Sequence, residues 1–333
     1  MSAQTFFQSR SGRTNQGGMG LIELMIAILL GILVAGSAVA IFSTNRSAWA
    51  ATESLGRIQE NSRLAYEMMA RDLRDAGGTP CARNTPMANV TSGANWWRNW
   101  GNGSVIGFNQ GAAPPAGAPA NMTTLGDSFV ALSANGLPLS VVSHDNAGGN
   151  FKLNMPPTGV NPLDLVVVCD YRQGSLFQIA AGGVSTATNT ISYSQSGMNC
   201  TKDLTMPVKC GSAKNGVKYG NNAMIGRLRS VAWYVAANTH GGTSLFQSQL
   251  ASNGTMSNQE IAEGVTGMQV TYLLNTGTGY VDAAGVAGNW ANVMSVRITL
   301  TMQGGQGQER ASVTGGALTR TLTQTISLRD HQS

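Results

Sequence analysis

The sequence predicts an α+β protein, with one long N-terminal helix packed on an antiparallel, β-rich C-terminal head. Three observations predict it. An apolar run from Leu24 to Phe42 passes without a break into an amphipathic stretch of helical period. Beyond Gly78 the period changes to two, as in half-buried strands. No helix-period stretch separates those strands, which favours antiparallel pairing over a parallel sheet.

The N-terminal part sets the class. Residues 1–18 (MSAQTFFQSRSGRTNQGG) are polar, carry Arg10 and Arg13 with no acid, and end in Gly17-Gly18. Met19 to Phe42 is then apolar except for Glu23 and Ser37. As a helix, Leu24 to Phe42 spans about 28 Å, close to the hydrocarbon thickness of a bilayer. Positive charge ahead of the run places the N-terminus in the cytoplasm and the remainder outside. A secretory signal would carry its apolar region before an A-x-A-like cleavage site, whereas here the polar leader stops first. A plain signal anchor explains everything but Glu23. A carboxylate in hydrocarbon costs about 2.5–3.5 kcal/mol on insertion scales, so Glu23 implies a partner.

Gly18 to Met25, G-M-G-L-I-E-L-M, resembles the class III signal of type IV prepilins. The resemblance implies cleavage by a prepilin peptidase after Gly18 and N-methylation of Met19. It also places Glu23 at the fifth mature position, where its carboxylate pairs with the terminal amine of a neighbouring subunit. Opposite charges attract strongly in a low dielectric, and each would be costly alone. Gly20 differs from the Ser or Thr often found at the second mature position.

From Ser43 to Asp75 the helix becomes amphipathic, with Leu55, Ile58, Ser62, Ala65, Met69 and Leu73 on one face. Glu53–Arg57 and Glu67–Arg71 are i,i+4 pairs in the favourable order. Arg71 and Arg74 suit the last turn, and Gly77-Gly78 supply the stop. The expected organisation is a cleaved leader over 1–18, a spine helix over 19–76 and a head over 77–333. Arg57 to Gly78, R-I-Q-E-N-S-R-L-A-Y-E-M-M-A-R-D-L-R-D-A-G-G, resembles the segment that PilW-family minor pilins carry before a cysteine, here Cys81. Tyr66, Met68 and Met69 within it read as core.

In the head, Val296, Ile298, Leu300 and Met302 alternate with polar residues, as do Ile326 and Leu328, and Met268, Val270, Tyr272 and Leu274. Leu163 to Cys169 and Met224 to Ala236 read as more deeply buried strands. Ile261–Tyr272, Trp290–Leu300, the closing T-I-S-L-R-D, and L-V-V-V-C-D followed by S-L-F-Q-I-A continue the resemblance to PilW. Gly111 to Ala120 reads as a surface loop.

Composition agrees with an exported structural chain. Charged residues make up only 11% and glycine reaches 42, while 42% apolar content in periodic blocks excludes disorder. The net charge of +5 is too small to argue for nucleic acid. Cys81, Cys169, Cys200 and Cys210 form no C-x-x-C pair and stand far in sequence from His144, His240 and His331, which argues against zinc. In an exported chain they read as two disulfides with three pairings open. The short Cys200–Cys210 spacing favours a local bridge, leaving Cys81 with Cys169.

Asn95-Trp96-Trp97-Arg98-Asn99-Trp100 offers Trp96, Trp97 and Trp100 as a partner surface, against the plainer reading of a loop fastened by its own indoles. Lys202, Lys209, Lys214 and Lys218 crowd the Cys200–Cys210 loop, where a solvated loop explains them as well as nucleic acid does. His144-Asp145 has no nucleophile motif beside it, and neither Walker A, G-x-G-x-x-G nor an EF-hand loop occurs. No catalytic, cofactor or metal residue is expected, and His144–Asn146 reads as a turn. The resemblance implies as partners other minor pilins, the major pilin, the prepilin peptidase, the inner-membrane assembly platform and a tip adhesin. It further implies priming of pilus assembly, with twitching motility, adhesion and DNA uptake. The rival readings are a type II secretion pseudopilin and a membrane-anchored binding protein.

Overall fold

The computed structural model describes residues 20–81, 85–98, 100, 103–211, 216–251, 254–304 and 318–328. The chain divides into two compact units, Met1–Ala50 and Ala51–Ser333. One helix, α1 (Leu21–Asp75), supplies the described residues of the first unit and opens the second. In the first unit the apolar side chains of Leu21 to Phe42 are exposed all round. By length and composition this helix can cross a bilayer.

In the second unit α1 buries Ser54, Ile58, Ser62, Ala65, Tyr66, Met69, Ala70, Asp72 and Leu73. Leu55, expected on that face, is half-buried, and Ser54 takes the buried place. Arg57 meets Glu53 at 2.7 Å as expected. Glu67, by contrast, turns back to Arg63 at 2.8 Å instead of forward to Arg71. All these carboxylates and guanidinia are solvent-facing, so the choice between i−4 and i+4 partners is energetically soft. Gly77, at φ +80°, adopts the left-handed conformation that ends helices. Its N–H then leaves the helix and donates to Leu132 O at 2.8 Å.

Among the described residues the head contains fifteen strands. They are β1 (Met87–Asn89), β2 (Val105–Phe108), β3 (Ser128–Asp145), β4 (Asn150–Leu153), β5 (Leu165–Cys169), β6 (Gly174–Gln178), β7 (Val184–Ser185) and β8 (Thr190–Ser192). After them come β9 (Met224–Ala237), β10 (Thr243–Leu250), β11 (Met256–Glu263), β12 (Val265–Leu274), β13 (Tyr280–Val281), β14 (Val293–Gln303) and β15 (Thr319–Ser327), with a short helix α2 (Ala283–Val286) between β13 and β14. Eleven strands form one sheet in the order β1-β6-β5-β9-β3-β4-β8-β7, with β10 and β11 built onto β9 and β2 onto β3. The other four form a sheet ordered β13-β12-β14-β15. Among the described strands only β1–β6 is a parallel pair.

Strand β9 explains the architecture. Val231, Trp233 and Val235 face the core shared with α1 and the four-stranded sheet, while Ala232, Tyr234 and Ala236 face a second core around Trp96 and Trp97. Both faces are covered, so the run V-A-W-Y-V-A-A shows no polar alternation. On β14 the polar face is open, and Val296, Ile298, Leu300 and Met302 alternate with Arg297, Thr299 and Thr301 as expected. The register of β3 against β9 shifts between Gly136 and Ser140, across Pro138, whose nitrogen cannot donate to a ladder. Disulfides join Cys81 to Cys169 and Cys200 to Cys210, with Cα atoms 5.5 and 4.9 Å apart.

The third core lies under β3, β4 and β8. Here His144 belongs to β3 and not to a turn; the turn begins after Asp145, which accepts from Gly148 N at 3.0 Å. The His144 ring stacks on Phe151 at 4.0 Å and is 2% exposed. Its Nδ1 accepts from Tyr219 N at 3.1 Å, so the Nε2 proton is donated to Tyr193 Oη at 2.8 Å. Burial pushes its pKa down to about 4, with Lys218 adding to the fall and Asp145 opposing it. The unfolded chain therefore binds a proton near pH 6.5 that the folded chain refuses until about pH 4. This contribution is whole above pH 6.5 and lost as pH falls from there to 4, removing about 3 kcal/mol. A His144→Gln variant should show a flatter fall of Tm over that interval than the parent, measured by thermal denaturation.

Candidate functional site

Of the residues expected to handle processing and docking, Gly18 and Met19 lie outside the described residues. Glu23 stands in the first turn of α1, where Glu23 N and Leu24 N donate to Gly20 O at 3.0 and 3.2 Å. An acidic side chain suits that end of a helix, because the unpaired N–H groups there carry partial positive charge. Around it Leu21, Ile22, Leu24, Met25 and Ile26 are all exposed. The carboxylate thus sits in an entirely apolar stretch.

The second half of α1 is fastened to the head by polar bonds within an apolar stripe. Asp72 is 4% exposed and accepts three hydrogen bonds from two strands. Arg229 Nη2 reaches Oδ1 at 2.6 Å, while Trp233 Nε1 and Gln247 Nε2 reach Oδ2 at 2.9 and 2.6 Å. Tyr66 Oη donates to the carbonyl oxygen of Leu322 and receives Leu300 N at 3.3 Å, tying α1 to the ladder between β14 and β15. At Gly304 a Cβ would lie 2.9 Å from the Cβ of Ser54, so the end of β14 reaches the helix only without a side chain. Asp72 was not singled out by sequence reasoning. The available signal was its place: three residues after Met69, it falls on the buried face, where an acid needs a partner.

Of the two readings of the tryptophans, a partner surface or a loop fastened by its own indoles, the packing favours the second. Trp96 and Trp97 are 4% and 1% exposed and pack with Met122, Leu132, Leu165 and Tyr234. Trp100 is half-buried against the same core. Their loop is closed on its own domain, with Trp96 N donating to Ala116 O at 3.0 Å and Ser230 Oγ to Trp97 O at 3.1 Å. An indole spent on its own core has no area left for a partner. Lys202 donates to Ala147 O at 2.9 Å, Lys209 and Lys218 are exposed, and Lys214 lies outside the described residues. Among the described residues no group of three or more His, Cys, Asp or Glu could hold a metal.

Residues 232–330 match the family PilW, type IV pilus-assembly protein W. The matched span begins inside β9 and takes in β10 to β15. It therefore includes Trp233 and Gln247, two of the three donors to Asp72. The solved structure of the type IV-like pilin TTHA1219 from Thermus thermophilus aligns with 83% of this chain and 98% of its own at 10% identity, with a TM-score of 0.31, too low to carry an argument. No curated protein matches the chain.

Removing the Asp72 carboxylate leaves a half-buried guanidinium and a buried indole N–H and amide without their acceptor. Asp72→Ala should lower the unfolding free energy by about 3–5 kcal/mol, and Asp72→Asn by less, in urea titrations of the full chain in detergent. Equal stability of parent and Asp72→Ala would show that these bonds add nothing net.

Proposed function

We propose that this PilW-type pilin is a minor structural subunit that primes assembly of a type IV pilus and stands at or near the filament tip. It is a membrane-anchored building block and not an enzyme. The observation that carries this reading is Glu23, a carboxylate in the first turn of an otherwise apolar helix, five positions beyond Gly18. In lipid such a group is tolerable only with an opposite charge beside it. A peptidase cut after Gly18 creates one on every subunit: the amine of Met19, which N-methylation leaves cationic.

The mechanism follows from that pairing. Before assembly, α1 holds the chain in the inner membrane, N-terminus inward and head outside, by the apolar stretch from Leu21 to Phe42. On docking, Glu23 meets the amine of a neighbour, which lowers the cost of burying both charges. The same apolar surface then moves from lipid to the packed helices of the filament at little hydrophobic cost, since both surroundings are apolar. Other minor pilins, the major pilin, the assembly platform and a tip adhesin are the partners. Twitching, adhesion and DNA uptake are activities of the filament, to which this subunit contributes by priming it.

Two measurements test the reading. Mass analysis of the chain from its native membrane should give a polypeptide beginning at a methylated Met19; a chain starting at Met1 alone makes it a simple anchored protein. Glu23→Ala should reduce recovery in sheared pili or priming complexes by at least about tenfold while membrane insertion persists, because the lost pairing is worth more than one decade in affinity. Undiminished incorporation of Glu23→Ala refutes the docking mechanism.

A further inference from the structure

The hairpin joining β5 and β6 carries at its tip a tyrosine whose ring has the Arg172 guanidinium over it at 5.6 Å and is otherwise turned to solvent. Tyr171 is 88% exposed. The turn beneath it is nevertheless heavily bonded. Asp170 Oδ1 accepts from the backbone N–H of Arg172 and Gln173 at 2.9 and 3.3 Å, and Oδ2 from Arg172 Nε and Nη2 at 3.0 and 2.6 Å. Arg172 Nη2 also donates to Lys218 O at 2.8 Å, and Gln173 Nε2 to Leu204 O at 2.6 Å. Val217 N donates to Thr205 Oγ1 at 2.9 Å. Both disulfides brace this arrangement, Cys81–Cys169 at the base of the hairpin and Cys200–Cys210 across the loop bearing Leu204.

Three chain segments are thereby fixed against one another, and together they show an unusual surface. The segments tied to the hairpin also expose Met206, 44% exposed and two residues beyond Leu204, and Met224, 45% exposed and directly opposite Cys169 in the β5–β9 register. Lys209 and Lys218 are exposed on the same segments. The acids there are engaged internally, Asp170 by Arg172 and Asp203 Oδ1 by Thr205 N at 3.1 Å. The outward charge is therefore positive. Tyrosine, methionine and arginine are enriched where proteins meet, and a side chain already held in place loses little freedom on binding.

We propose that this face is a docking surface for an acidic segment of a partner protein. An apolar side chain of that segment covers Tyr171 and the two methionines, and its carboxylates face Lys209 and Lys218. The charge pattern selects an anionic partner, and the flanking methionines select a polypeptide over a nucleic acid. The inference does not depend on the filament reading, since it uses the head alone.

The test is fluorescence anisotropy with the full chain in detergent micelles and three labelled probes. These are a short peptide of Asp and Leu with Gly spacers, the same peptide with Asn for Asp, and a single-stranded oligothymidylate. The Asp peptide should bind about tenfold or more tighter than the Asn peptide and weaken as salt rises. Tyr171→Ala and Lys218→Glu should each cost about tenfold, and Thr321→Ala on the other sheet should cost nothing. Equal binding of both peptides, tighter binding of the oligothymidylate, no binding of any probe, or a Tyr171→Ala protein that binds as the parent does would each overturn the proposal.

Discussion

A carboxylate inside a protein core is costly unless every oxygen is met, and Asp72 is met three times. Its donors come from two neighbouring strands, so they fix the position of α1 along the sheet and its rotation about its own axis. Apolar packing alone would tolerate a slip of one turn, about 5.4 Å, since Ile58, Ala65, Met69 and Leu73 present similar surfaces at each turn. Asp72 does not tolerate it. The remainder of the head follows from that placement: Gly77 meets β3, Cys81 meets Cys169 on β5, and Tyr66 meets β14 and β15.

The placement also explains why the central strands are so apolar. With α1 and the four-stranded sheet on one face of β9, and the Trp96–Trp97 loop on the other, neither face reaches water. The Trp96–Trp97 loop is the cover of the second face. At the perimeter the β5–β6 hairpin holds out Tyr171.

Much of this was legible in the residues. The change from period 3.6 to period 2 at Gly78 located the boundary between helix and head, and Gly77 adopts the left-handed conformation that a helix stop requires. The alternation on β12, β14 and β15 was readable because those strands keep one face in water. Strand order was not readable, because β9 pairs with β3, β5 and β10 through contacts that leave no local periodic trace. The burial of the tryptophans could not be decided, and the strand position of His144 was missed, for the same reason. Whether an aromatic faces a core or a partner, and whether His-Asp-Asn begins a turn or ends a strand, depends on segments far away in the chain. Glu23 stood out because its cost arises from the lipid and needs no tertiary structure to evaluate.

The bond between Tyr66 and Leu322 joins positions 256 residues apart. The stripe of α1 that it helps to cover is synthesised long before its lid, β14 and β15. Folding of this unit therefore leaves an apolar seam open until β14 and β15 are in place. Long-range pairing of this kind is slow and exposed to misassembly. A polypeptide truncated before β14 would leave that seam open for good.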